Sequence, residues 1–103
     1  MICTLTARRL KRGTYDDFRA AWMPSEGQQE VASRWNPVYV CRDVNDENVV
    51  VAFGMFQGTV DELRRAQQEY GYEEEVQKVS QYVDDVLLDG AYEVVEEITP
   101  ESV

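Results

Sequence analysis

Apolar and polar positions follow different periods along this chain. Ile2 to Ala7 is a short strand-like run, weakly polar on both sides, with Ile2, Thr4 and Thr6 on one face and Cys3, Leu5 and Ala7 on the other. Gly13 marks a turn. Thr14 with Asp17 reads as a variant capping box, and Tyr15, Phe18 and Trp22 then recur at helical spacing until Pro24. Residues 24 to 37 are polar and include Gly27 and Pro37, which predicts a loop with one helical turn around Gln28 to Ser33. Two strand runs, Val38 to Val44 and Val49 to Phe56, flank Asn45-Asp46-Glu47-Asn48, residues that tolerate tight-turn geometry. Thr59 as N-cap with Glu62 three residues on opens a second helical region. Val60, Leu63 and Tyr70 share a stripe there, and Gly71 predicts a break. Val76, Val79, Val83, Val86 and Leu87 extend the helical spacing to Leu88. Gly90 reads as the helix stop, Ala91 to Ile98 as the last strand, and the residues from about 99 as a frayed tail.

The resulting order is β-α-β-β-α-β. It predicts an α+β fold, a ferredoxin-like βαββαβ sandwich with a four-stranded antiparallel sheet, helices on one face and strand order 4-1-3-2. A length of 103 residues fits a single domain over 1–103. The third strand, Val49-Val50-Val51-Ala52-Phe53-Gly54-Met55-Phe56, does not alternate. Strands buried on both faces read this way. The chain's own helices cover one face only, so a homodimer packed through the open sheet face is expected to cover the other. The plain alternative is a central strand that is simply apolar.

Charge narrows the partners. The formal net charge is −10, and all of it lies in residues 61–103, which hold thirteen acidic and three basic side chains. Residues 1–60 are balanced at seven of each. Nucleic acid and anionic membranes both need a basic surface, so neither is an expected partner. No apolar run has the length of a membrane span, and the start MICTLTARR lacks the pattern of a secretory signal, so the cytoplasm is the expected compartment. Cys3 and Cys41 fall in strands that are not neighbours and read as two free, buried thiols. The chain contains no His, and no zinc-binding spacing is present, so neither a metal nor a cofactor is expected. The basic cluster Arg8, Arg9, Lys11 and Arg12 reads as pairing with the acidic half. Glu73-Glu74-Glu75 and Asp84-Asp85 read as a solvated helix face.

The segment Gly13-Thr14-Tyr15-Asp16-Asp17-Phe18, the central hairpin and the broken helix before a last strand rich in Val and Glu carry a resemblance. The chain resembles the dimeric α+β barrel superfamily and, within it, the antibiotic-biosynthesis-monooxygenase-like group. Where many members carry a His near the helix break, this chain has Tyr70-Gly71-Tyr72. The resemblance implies oxygenation without metal or organic cofactor. A phenolic or enolic substrate is bound and deprotonated, and itself supplies the electrons to O2. It also implies a pocket lined by Trp, Tyr, Asn and Arg side chains.

Candidate pocket residues follow from that chemistry. Trp22 lies on the apolar stripe of the first helix, as a pocket wall or as ordinary core. Trp35, within Arg34-Trp35-Asn36-Pro37, is a large aromatic in a polar loop, as a pocket rim, a lid, a dimer contact or a plug for the end of the core. Arg34 and Asn36 could hold an anionic oxygen or stand in solvent. Tyr39 and Arg42 point to opposite faces of the second strand, and Arg42 shares the face of Val38 and Val40, so it needs a carboxylate or a ligand. Tyr70 and Tyr72 flank the break at Gly71. These residues suggest a small cofactor-independent monooxygenase-like protein acting on an aromatic or polyketide-like molecule. The alternative is a non-catalytic protein of the same fold that binds a hydrophobic small molecule or a partner. A closed apolar cavity under the helices with a Tyr or Trp35 and an Arg converging on it favours chemistry; a sheet–helix interface filled solid would not.

Overall fold

The computed structural model describes residues 1–102. Its elements are β1 (Ile2–Leu10), α1 (Tyr15–Trp22), a 3-10 turn (Glu26–Gln28), α2 (Gln29–Ala32), β2 (Trp35–Arg42), β3 (Val49–Phe56), α3 (Val60–Tyr70), α4 (Tyr72–Ser80) and β4 (Val83–Glu93). A short 3-10 turn at Pro100–Ser102 occupies the stretch expected to fray. The four strands form one antiparallel sheet in the order β2-β3-β1-β4, the expected ferredoxin-like arrangement.

Local chemistry accounts for most boundaries. Thr59 caps α3 by accepting from the Glu62 N–H at 3.1 Å, and the Glu62 carboxylate accepts from the Thr59 N–H at 3.0 Å. These bonds hold the Glu62 pKa below its ordinary value. Gly71 ends α3 at φ 78, a left-handed geometry that favours glycine, and α4 starts at once. Thr14 is not the side-chain cap expected of it. Its hydroxyl donates to the Lys11 carbonyl at 2.6 Å, so α1 begins without a capping box. Thr59→Ala should cost about 0.5–2 kcal/mol, read as a lower urea midpoint at unchanged slope. An unchanged midpoint would mean that the cap adds nothing.

The last strand differs most from expectation. The helix stops at Ser80, and Val83, Val86 and Leu87 belong to β4 rather than to a helix running to Leu88. Their spacing fits both periods. The long edge of β1 decides between them, because its backbone groups from Ile2 to Leu10 need a ladder partner, and Glu93 to Val83 supply it. Gly90 therefore lies inside a strand. A Cβ there would stand 2.5 Å from the Tyr92 hydroxyl, so glycine leaves room for that side chain to fold back over the strand. β2 likewise begins three residues before the expected Val38 and ends at Arg42. Its pairing with β3 is irregular between Trp35 and Val38, where the Asn36–Pro37 peptide is cis.

The registers sort the sheet into two faces. Ile2, Thr4, Thr6, Arg8 and Leu10 share the helix-covered face with Val50, Ala52, Gly54 and Phe56. Cys3, Leu5 and Ala7 share the open face with Val51, Phe53 and Met55, and with Tyr39, Cys41, Leu88 and Tyr92 from the edge strands. The thiols are not both buried as expected. Cys3 is half-buried and Cys41 exposed, because both lie on the face that no helix covers.

The core under the helices falls into two clusters. Ile2, Phe56, Leu63 and Ala66 pack at one end, with Val31, Trp35 and Ala91 against them. Leu10, Phe18, Val50 and Val79 pack at the other, with Tyr15, Ala21, Trp22, Tyr82 and Val83. Val60, expected on the α3 stripe, is exposed, and Ala66 takes the buried position instead.

Candidate functional site

Between the two clusters the sheet carries Thr4, Thr6, Ala52 and Gly54, small or polar residues that cannot fill the space up to α3 and α4. A cavity of about 1060 Å³ lies there. Trp22, Trp35, Tyr70, Tyr72 and Val76 contribute to its walls, and Arg8, Glu75 and Asp89 bring charge to it. It opens along β2, where Val38 and Val40 remain 44% and 46% exposed on the helix side of the sheet. Glycine at 54 shapes one wall, since a Cβ there would meet the Val38 Cγ2 at 3.1 Å and Trp35 at 3.3 Å.

The aromatic residues are fixed by their neighbours. Trp35 is the first residue of β2, not a loop residue. Its ring lies 5.1 Å from that of Phe56 and 6.3 Å from that of Tyr70. The Tyr72 hydroxyl donates to the Asp89 carboxylate, with both oxygens at 2.8 Å. Burial, and then this bond, push the Tyr72 pKa up to about 12. Burial also takes Tyr70 to about 12, with the Glu75 charge adding to it. Both phenols are therefore neutral near neutral pH, and neither is poised to take a proton.

Two charged side chains stand out by their burial. Arg8 is 6% exposed. Its guanidinium donates to the Thr6 hydroxyl at 3.1 Å and lies 5.7 Å from the centre of the Phe18 ring. Among the described residues it makes no ion pair, whereas neighbouring Arg9 pairs with Asp46 at 3.7 Å and Asp85 at 3.8 Å. Glu75, on α4, is 8% exposed, and its Oε1 has no hydrogen-bond partner among the described residues. Neither residue was singled out as a site candidate from the sequence. Alternation continued one residue past Ala7 would have put Arg8 on the face of Thr4 and Thr6. The helical stripe through Val79 would have put Glu75 inward rather than on a solvated face.

The other sequence candidates lie outside the cavity. Arg34 is exposed, stacks on Phe56 at 4.6 Å and pairs with Glu62 at 3.5 Å. Asn36 is exposed beside the cis peptide. Tyr39 lies on the open face, 5.2 Å from the Phe53 ring. Arg42 finds its partner in the Tyr15 ring at 4.6 Å, not in a carboxylate. Among the described residues no three His, Cys, Asp or Glu side chains gather as a metal site would require. None of their helices is long and apolar enough to cross a membrane.

Solved structures share this architecture. SnoaB, a cofactor-independent oxygenase from Streptomyces nogalater, superposes with a TM-score of 0.72 at 12% identity, over 94% of this chain and 95% of its own. A candidate antibiotic biosynthesis monooxygenase from Deinococcus radiodurans gives 0.71 at 11% identity, over 96% and 97%. The fold is that of the antibiotic-biosynthesis-monooxygenase-like α+β proteins. It is not tied to one role, since an uncharacterised NIPSNAP domain protein from Burkholderia xenovorans also matches, with a TM-score of 0.66 at 11% identity over 97% and 99%. No family model and no curated protein matches the sequence itself. At such identities the monooxygenase-like fold is shared while the side chains in the cavity are this chain's own.

Proposed function

We propose that this chain is a small cofactor-independent monooxygenase acting on an aromatic or polyketide-like molecule held between the sheet and helices α3 and α4. The observation that carries this reading is a buried Arg8, without an ion pair among the described residues, at the floor of a cavity walled by Trp22, Trp35 and Tyr70. Aromatic walls suit a planar ring system. A cation in a low-dielectric setting favours an enolate or phenolate over the neutral form. Such an anion can give electrons to O2 directly. For a methylene flanked by aromatic rings, the carbon loses two hydrogens, one oxygen atom becomes the new carbonyl oxygen, and the other leaves in water. Arg8 stabilises the anion, and the aromatic walls orient it.

Two copies of the chain pair through the open sheet face in this reading. Leu88 and Tyr92 on that face remain 44% and 46% exposed in the single chain, and Leu5, Val51 and Phe53 continue the apolar surface between the edges. Stacking two such faces buries them all.

A second reading, non-catalytic binding in the same cavity, is favoured by the two tyrosines with pKa values near 12 and by the absence of His. Oxygen uptake separates the two. With a panel of quinols and anthrone-like phenols, the protein should consume O2 above the protein-free rate. Arg8→Gln should slow this about 10²-fold or more, and Trp35→Phe should raise KM. No uptake across the panel would leave binding as the better account.

A further inference from the structure

The oxygenase reading leaves one group in the cavity without a task. Glu75 sits in the first turn of α4, next to the exposed Glu73 and Glu74, yet its own side chain is turned in and 92% removed from solvent. One of its carboxylate oxygens, Oε1, is buried with no hydrogen-bond partner among the described residues. Leaving such an oxygen unpaired is costly, and an unfilled acceptor beside an aromatic-walled cavity matches a ligand that brings a donor. Its surroundings are mixed. Lys78 from its own helix and Arg8 from β1 bring positive charge to it, the Gln28 amide gives the carboxylate hydrogen-bond support, and Tyr70 from α3 lies within reach of its charge, so the unfilled acceptor is Oε1 alone. Gln28 is itself held by donating to the Tyr70 carbonyl at 2.7 Å. Burial outweighs these neighbours and pushes the Glu75 pKa above its ordinary 4.5.

We propose that Glu75 is the proton acceptor of the cavity, receiving the hydrogen bond and then the proton of a ligand hydroxyl whose resulting negative charge is shared with Arg8. The O–H bond breaks, its electron pair stays on the ligand oxygen, and the proton forms a new O–H bond at Glu75. No electrons change hands, so the step stands apart from any reaction with O2. It rests on the reading of the cavity as a ligand site. The ligand class stays that of the oxygenase reading, a planar aromatic with an acidic phenol or enol. A raised pKa makes Glu75 a better base than a solvated carboxylate while it is ionised. As pH falls through that raised pKa, Glu75 is already protonated and proton transfer is lost.

Two probes that do not react with O2 test this, 2-hydroxyanthraquinone and anthraquinone. Binding is read from quenching of Trp22 and Trp35, and ionisation of the hydroxylated probe from its shift to longer-wavelength absorption. At a pH where the free probe is neutral, the wild-type protein should bind it about tenfold or more tighter than anthraquinone and should show the phenolate colour. Glu75→Gln should retain part of the hydroxyl preference through its amide oxygen but keep the bound probe in its phenol colour. Glu75→Met should lose the preference as well. Arg8 is present in every variant, so these differences belong to Glu75. Unchanged anthraquinone binding shows that each variant keeps its cavity. Phenolate colour in Glu75→Gln, full hydroxyl preference in Glu75→Met, or equal or no binding of the two probes by the wild type would overturn the assignment. A protein that ionises the probe but consumes no O2 on the quinol panel would keep this inference and lose the oxygenase reading.

Discussion

Phe56→Ala is expected to lower the unfolding free energy by about 3–5 kcal/mol. Phe56 has no solvent exposure and joins Ile2, Leu63 and Ala66 in one of the two core clusters. It also carries groups outside that cluster. The Trp35 ring packs on it at 5.1 Å and the Arg34 guanidinium at 4.6 Å, so truncation opens a hole that α3, tied down at Thr59 and Gly71, cannot collapse to fill. A domain of this size holds about 5–15 kcal/mol in total, so the loss is a large share. The thermal midpoint should fall by more than about 12 °C. Trp35 would lose its support at the same time, so ligand binding should weaken even below the melting range. A loss under about 1 kcal/mol in a urea titration would show that the two clusters are less separate than their packing indicates.

Phe53→Asp should turn a dimer into a monomer. Phe53 stands on the open face between Leu5 on β1 and Tyr39 on β2, near the middle of the apolar surface. In a sheet-on-sheet pair this position is buried, and each protomer would bring one unpaired carboxylate into the seam. In the single chain Phe53 is only partly covered, so the fold should survive. The expected result is a halved solution mass at micromolar concentration with an unchanged far-UV spectrum. Val44→Asp, at a hairpin position 97% exposed, should leave the mass alone. A wild-type protein of monomeric mass, or a Phe53→Asp variant that stays dimeric, would sink the stacked-face account.

The pH behaviour of the two kinds of buried group differs in a useful way. Tyr70 and Tyr72 have pKa values raised to about 12, so they stay neutral through the range in which Glu75 titrates. A change in ligand ionisation on the acidic side therefore reports on a carboxylate rather than on the phenols, and the Glu75 variants assign it to Glu75.

The readings that survived are those set by local chemistry. Thr59 with Glu62, the left-handed Gly71 and the Asn45–Asn48 turn depend on residues a few positions apart, so their outcome is visible in the chain. The two-sided apolar run of β3 likewise places apolar residues on the face that no helix covers. What failed was period at an ambiguous run. Val83, Val86 and Leu87 fit a helix stripe as well as a strand, and only the unpaired edge of β1 chose the strand. Trp35 was misplaced for a related reason, since pairing with β3 extends β2 back through a polar stretch.

The sequence alone therefore determined the order of elements and the strand order, because propensity, capping and alternation act over short distances. It could not determine the cavity. That depends on two core clusters standing apart and on small residues meeting between them from strands far apart in the chain. The same holds for Arg8 and Glu75. One looked like a member of a basic cluster and the other like part of a solvated acidic face. Tertiary packing alone withdrew both from water and brought them to one cavity, where burial rather than residue type gives them chemistry.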